Sequence, residues 1–169
     1  MKSFSLRSVK LRSGEEHRDA VEIELAPLDL AGQRYLFVPA ELPAELAISR
    51  ASTGTVFQLA FKARLHGPCM RCLADAVLDV DIDTREYQAT NPGSDDELKT
   101  PYLADDNLDL AAWGRDAVIL ALPDKILCRA DCAGLCPVCG RDLNVEPHEH
   151  EEEPHDSRWG ALAELRDRL

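Results

Sequence analysis

From Phe57 to Leu65 the odd positions Phe57, Leu59, Phe61, Ala63 and Leu65 are apolar, with Gln58, Lys62 and Arg64 between them. From Ala74 to Ile82 the even positions are apolar, and Asp75, Asp79, Asp81 and Asp83 stand opposite. A period of two predicts two strands, each burying one face. Between them lies His66-Gly67-Pro68-Cys69-Met70-Arg71-Cys72. Gly-Pro marks a turn, so the strands are expected to pair, with Cys69 and Cys72 at the hairpin tip. Upstream, Val21, Ile23 and Leu25 alternate with Glu22 and Glu24. Further strands are expected over Phe4–Leu11 and Tyr35–Val38, and Pro39 and Pro43 bracket a loop.

After residue 90 the pattern changes. Residues 91–106, rich in Asp, Asn, Pro and Gly, read as an exposed acidic loop. Asn107 or Asp109 can cap a helix running to about Ala121, with Leu110, Trp113, Ala117 and Leu120 on one face. Gly114 weakens this helix and Pro123 ends it. From Glu146 to Asp156 charge, His and Pro dominate, so no packing is expected. Ser157 then caps a short terminal helix with a stripe of Trp159, Leu162, Leu165 and Leu169.

The fold class is therefore α+β. Residues 1–90 form a β-rich body, a small barrel or curled sheet, that carries the first CxxC. Residues 107–144 supply a covering helix and a cysteine-rich zinc segment, and residues 145–169 an acidic tail and short helix. No apolar run is long enough to span a bilayer and no secretory leader is apparent, so a cytoplasmic location is expected.

The net charge of -12 sharpens this picture because it falls mostly after residue 90, where 18 acidic residues face 8 basic ones. Such a balance counts against wrapping nucleic acid and favours a basic partner. Lys62, Arg64, Arg71 and Arg85, on or near the hairpin, remain candidates for a local RNA contact.

Six cysteines in a reducing compartment point to metal rather than disulfides. Cys69-x2-Cys72 is one chelating pair. The others are spaced Cys128-x3-Cys132-x3-Cys136-x2-Cys139, with Gly140 easing the last turn. Zn²⁺ in a structural role suits four thiolates. The preferred set is Cys69, Cys72, Cys136 and Cys139, a clasp between hairpin tip and C-terminal loop. A rival is the local cage of Cys128, Cys132, Cys136 and Cys139, and a mixed set using Cys132 is a third. His148, His150 and His155 are read as solvated tail residues, the other readings being completion of a site or weak binding of a second metal. His66, beside the first pair, is either a donor to its ligands or a surface residue. Neither CxxC sits at a strand-to-helix junction of the thioredoxin kind. No nucleotide-binding glycine loop, HExxH or nucleophile elbow appears, and a four-thiolate cage leaves no open position for catalysis. The acidic face of Asp75–Asp83 reads as solvated surface rather than a magnesium site.

At these cysteines the chain resembles the bacterial YceD family, the large ribosomal RNA subunit accumulation proteins. The resemblance is carried by Cys69-Met70-Arg71-Cys72-Leu73, by Asn107–Leu110 with Ile119–Pro123, and by Cys132-Ala133-Gly134-Leu135-Cys136-Pro137-Val138-Cys139-Gly140 with Asp142-Leu143-Asn144. Asp156-Ser157-Arg158-Trp159 is similar to the family's closing segment, with Ser157 in place of Pro. Some members have a further Cys-x-Cys where Pro147-His148-Glu149-His150 stands here, a difference that counts against a second metal site. The resemblance implies a non-enzymatic role in accumulation of 23S ribosomal RNA. The implied partners are precursor ribosomal RNA or a basic large-subunit ribosomal protein, with no membrane and no small-molecule substrate. The alternatives are a protein-protein adaptor outside the ribosome pathway and a metal-dependent nuclease.

Overall fold

The computed structural model describes residues 3–93 and 95–150. The terminal helix expected from Ser157 lies outside them. Among the described residues, nine strands and one α-helix follow in order: β1 (Ser3–Ser5), β2 (Glu16–Glu24), β3 (Leu28–Leu30), β4 (Gln33–Phe37), β5 (Glu41–Arg50), β6 (Gly54–Pro68), β7 (Asp75–Ala89), β8 (Leu103–Ala104), β9 (Asn107–Asp109) and α1 (Leu110–Ala121).

β6 is the spine. Along one edge it pairs with β7 over its whole length, Gly54 opposite Ala89 through Pro68 opposite Asp75. Along the other it pairs first with β5 and then with the end of β4. β2 extends the sheet beyond β5, and β3 beyond β4. The sheet is open, not a closed barrel. Its alternation is the one read from the sequence. Phe57, Leu59, Phe61, Ala63 and Leu65 are buried while Lys62 and Arg64 are exposed. Registers line up the buried row Val21, Ala44, Phe61 and Ile82 across four strands. Such aligned apolar positions are what fix register, since a slip of one residue would turn the row to solvent.

α1 lies on this apolar face against β7, β2 and β1. The Asp109 carboxylate caps it by accepting the Ala112 amide at 2.9 Å. The buried positions are Leu110, Trp113, Gly114 and Val118, whereas Leu120 is 87% exposed. The apolar stripe thus takes in Gly114 and Val118, keeps Ala117 at its edge against the core, and leaves the expected Leu120 outside it. Gly114 explains this. A Cβ there would lie 3.3 Å from Ile23 Cδ1 and 3.4 Å from Leu25 Cδ2, so the helix axis approaches the sheet at that point. A second small sheet, ordered β1-β9-β8, ties the N-terminus to the start of α1.

Other expectations change too. The strand expected over Phe4–Leu11 is only Ser3–Ser5, followed by a 3-10 turn at Leu6–Ser8. The segment bracketed by Pro39 and Pro43 is not a loop throughout, because β5 starts at Glu41. Pro43 pairs with Glu22 but lies beyond the stretch where β5 meets β6, so its missing N–H breaks no bond to β6. Within the expected loop 91–106 the backbone forms a 3-10 turn at Asp96–Leu98 and the strand β8, and Thr100 is buried. Gly67-Pro68 ends a strand instead of making the turn. Gly67 is needed for another reason. A Cβ there would fall 2.3 Å from Cδ1 of the fully buried Tyr35 ring. That ring crosses β6 so that its hydroxyl donates to the Pro68 carbonyl at 2.8 Å, directly under the hairpin tip.

Candidate metal centre

The two CxxC segments have the same backbone. At the β6–β7 tip the Cys69 amide donates to the Ala74 carbonyl at 2.7 Å, and the Leu73 amide to the Cys69 carbonyl at 3.0 Å. In the later segment the Cys136 amide donates to the Arg141 carbonyl at 2.8 Å, and the Gly140 amide to the Cys136 carbonyl at 2.9 Å. Both turns need a positive φ one residue after the second cysteine, +63° at Leu73 and +73° at Gly140. Each turn brings its two sulfurs together and leaves amides to face them. The Arg71 amide, for example, donates to Cys69 Sγ at 3.4 Å.

The matched claws do not grip one point. Cys69 and Cys72 gather with Cys128 and Cys132, while Cys136 and Cys139 gather with His148 and His150. Within each group the ligand atoms all lie within 4.8 Å of one another. The preferred set Cys69, Cys72, Cys136 and Cys139 is thus divided, and the local cage of Cys128, Cys132, Cys136 and Cys139 is divided too. The physical reason lies between α1 and the cysteines. Pro123 stops the helix, and the buried Ile126 then docks under the hairpin tip. Its carbonyl accepts the Met70 amide at 2.9 Å, and its amide donates to the Met70 thioether sulfur at 3.4 Å. This delivers Cys128 to the tip two residues later. The apolar pair Ile126-Leu127 just before Cys128 was the available signal in the sequence.

In the inner group Cys69 Sγ is 3.8 Å from Cys132 Sγ, and Cys72 Sγ is 3.5 Å from Cys128 Sγ. These separations are far beyond a disulfide bond. They agree with four sulfurs about 2.3 Å from a central ion, which lie roughly 3.8 Å apart. Cys69, Cys72 and Cys132 are buried and Cys128 is exposed. Burial raises the Cys69 thiol, but amides of Cys72, Arg71 and Cys128 outweigh it and bring the pKa down to about 6. Cys128, sharing a hydrogen bond first of all with Cys72, is pushed up to about 12. Protein amides therefore favour one thiolate, while neighbouring sulfurs oppose another. A divalent cation would supply the charge that lets all four ionise together.

Arg71 locks this centre. Its guanidinium donates to the Cys132 carbonyl at 2.6 Å, and its own carbonyl accepts the Leu135 amide at 3.1 Å. Asn144 closes it from the other side. Its amide nitrogen donates to Cys132 Sγ at 3.6 Å, and its oxygen accepts the Ala133 amide at 2.8 Å.

In the outer group Cys139 Sγ is 3.1 Å from His148 Nε2. The Cys139 amide is the main influence lowering the Cys136 thiol to about 6. The Glu146 carbonyl, followed by Cys136, raises the His148 imidazole. His148 is therefore not the solvated tail residue expected, whereas His150 beside it stays exposed. His66 shares the exposed sheet face with Lys62 and Arg64, and His155 lies outside the described residues.

The proposed RNA contacts are largely engaged within the protein. Lys62 pairs with Asp81 at 3.1 Å, Arg64 grips Asp79 through two bonds of 2.6 and 3.1 Å, and Arg71 serves the inner centre. Arg85 is exposed opposite Gln58. The aspartates of β7 are thus cross-strand partners of β6, with Asp83 accepting from Gln58 at 2.7 Å. The Arg64 guanidinium holds the Asp79 carboxyl below its usual range.

Comparison with known proteins now bears on this arrangement. Residues 57–166 match the family described as large ribosomal RNA subunit accumulation protein YceD. The chain belongs to the YceD family. The match begins in β6 and takes in all six cysteines, so it covers both clusters. Uncharacterized proteins of Mycobacterium tuberculosis and Mycobacterium bovis are 35% identical to it over 129 residues, covering 73% of this chain and 61% of theirs. An uncharacterized protein of Mycobacterium leprae is 33% identical over 103 residues, 57% of this chain and 46% of that protein. The chain thus spans about three fifths of the length of the first of these relatives. No solved structure matches it. The family's printed name refers to accumulation of large-subunit ribosomal RNA, and the two clusters of this chain are groups that could hold metal ions. Among the described residues no helix is long and apolar enough to cross a membrane.

Proposed function

We propose that this YceD protein is a non-catalytic, cytoplasmic accessory factor of ribosome biogenesis that supports 23S ribosomal RNA synthesis, processing or stability. In this reading a structural Zn²⁺ at Cys69, Cys72, Cys128 and Cys132 holds it together. The family match over residues 57–166 carries the reading. The mostly buried inner cluster supports the structural role of the metal, since four protein ligands leave no position for a reacting water. Between the two proposed partners, a basic large-subunit ribosomal protein is favoured over RNA. The net charge is -12, and Lys62 and Arg64 already face carboxylates.

The test is removal of the gene, followed by measurement of mature 23S relative to 16S ribosomal RNA. The expected result is a fall in 23S that is restored by the parent protein and by a double Asp79→Ala, Asp81→Ala variant, but not by Cys128→Ser. An unchanged 23S to 16S ratio sinks the ribosomal reading. Failure of the aspartate variant, with its fold intact, revives the nuclease.

A further inference from the structure

We infer that Cys136, Cys139, His148 and His150 form a second Zn²⁺ site, separate from the inner cluster and filled independently of it. Four ligand atoms of two kinds converge within 4.8 Å. Two thiolates with two imidazoles are a complete donor set for tetrahedral Zn²⁺.

The histidine geometry adds an observation of its own. His148 Nδ1 lies 2.7 Å from the Glu146 carbonyl, which can only accept a hydrogen bond. Nδ1 must therefore carry a proton, and in the neutral ring the lone pair is left on Nε2. That nitrogen points at Cys139 Sγ, 3.1 Å away. A backbone carbonyl fixing the tautomer and aim of an imidazole is the support commonly seen behind metal-bound histidines. The His150 ring stands edge-on to His148, centroids 5.0 Å apart, which brings the fourth ligand to the same point.

The loop is built to hold this shape. The Val145 and Glu146 amides both donate to the Asp142 carbonyl, at 3.2 and 3.0 Å. Glu146 also pairs with Arg141 at 3.0 Å. All four ligands come from residues 136–150, so the site closes only a short local loop. Cys139 and His150 are exposed and His148 is partly so. Such a site adds little to the stability of the sheet and exchanges its ion with solvent readily. Its role is to fold the segment after Cys139 back on the second CxxC turn.

The experiment uses the full-length chain. Zinc content is measured for the parent and for a His148→Ala, His150→Ala double variant, and each metal-free protein is titrated with Co²⁺. Two zinc ions per parent chain and one per histidine variant are expected. The parent should give two Co²⁺ absorption envelopes, one from four sulfurs and one from two sulfurs and two nitrogens, and the variant should keep only the first. Equal zinc content, with the same single Co²⁺ envelope in both proteins, overturns the second site. Failure of the inner site reads differently: the parent then holds one zinc that the histidine variant loses.

Discussion

The two clusters start from the same piece of backbone and end as different kinds of site. The first CxxC turn is the tip of the β6–β7 hairpin, resting on Tyr35 and clamped by Arg71. Its partner cysteines come from far along the chain, Cys128 being 56 positions from Cys72. The second turn finds its partners within a few residues, Cys139 and His148 being 9 positions apart. A bond that closes a long loop removes more freedom from the unfolded chain than one closing a short loop. The inner cluster is also mostly buried, so loss of an ion proposed there would strand several sulfurs in an apolar setting. The lesson is that a ligand turn is a portable unit. What a metal held by it does for the protein is decided by what the rest of the chain brings to it.

This contrast can be broken in three ways, from the largest effect to the smallest. Cys128→Ser removes an inner ligand and is expected to cost the zinc-loaded protein about 4 kcal/mol or more, against under about 1 kcal/mol for Cys139→Ser. Guanidinium unfolding followed by far-UV circular dichroism compares them, and equal losses would erase the distinction between the clusters. Asn144→Ala removes the donor to Cys132 Sγ and the brace on the Ala133 amide. Inner-site zinc affinity is expected to fall about 10-fold in a chelator competition, with the outer site little changed. A parallel fall at both sites would mean that they fill as one unit. Leu73→Gly gives the first knuckle the residue that the second already has. Leu73 is 57% exposed at a φ of +63°, so the change relieves strain with little loss of packing. A gain of about 0.5–1 kcal/mol is expected in the same unfolding assay. A loss would show that Leu73 has contacts the strain argument ignores.

Period-two alternation was strong enough to locate β6, β7 and the outer face they share. The reason is that an open sheet with one covered side must write its burial into every second residue. β5 was harder to see because Pro43 reads as a breaker, and only the change of partner along β6 makes it harmless. The α1 stripe was legible at Leu110 and Trp113. It was misread at Leu120 because the close approach at Gly114, which turns Val118 inward, depends on Ile23 and Leu25 from a distant strand.

The cysteines divide along the same line. Spacing alone established two chelating turns, since two residues between thiols is a local constraint that any fold must respect. Local chemistry also made Gly140 the residue after the second turn, where a positive φ is required. Which four ligands share an ion is a question of tertiary position. It was decided by Ile126 docking under the hairpin tip, which delivers Cys128 and Cys132 to the first turn. The Glu146 carbonyl, by orienting His148, completes the second. Those contacts join residues that no periodicity links, so only the folded chain could choose between the pairings.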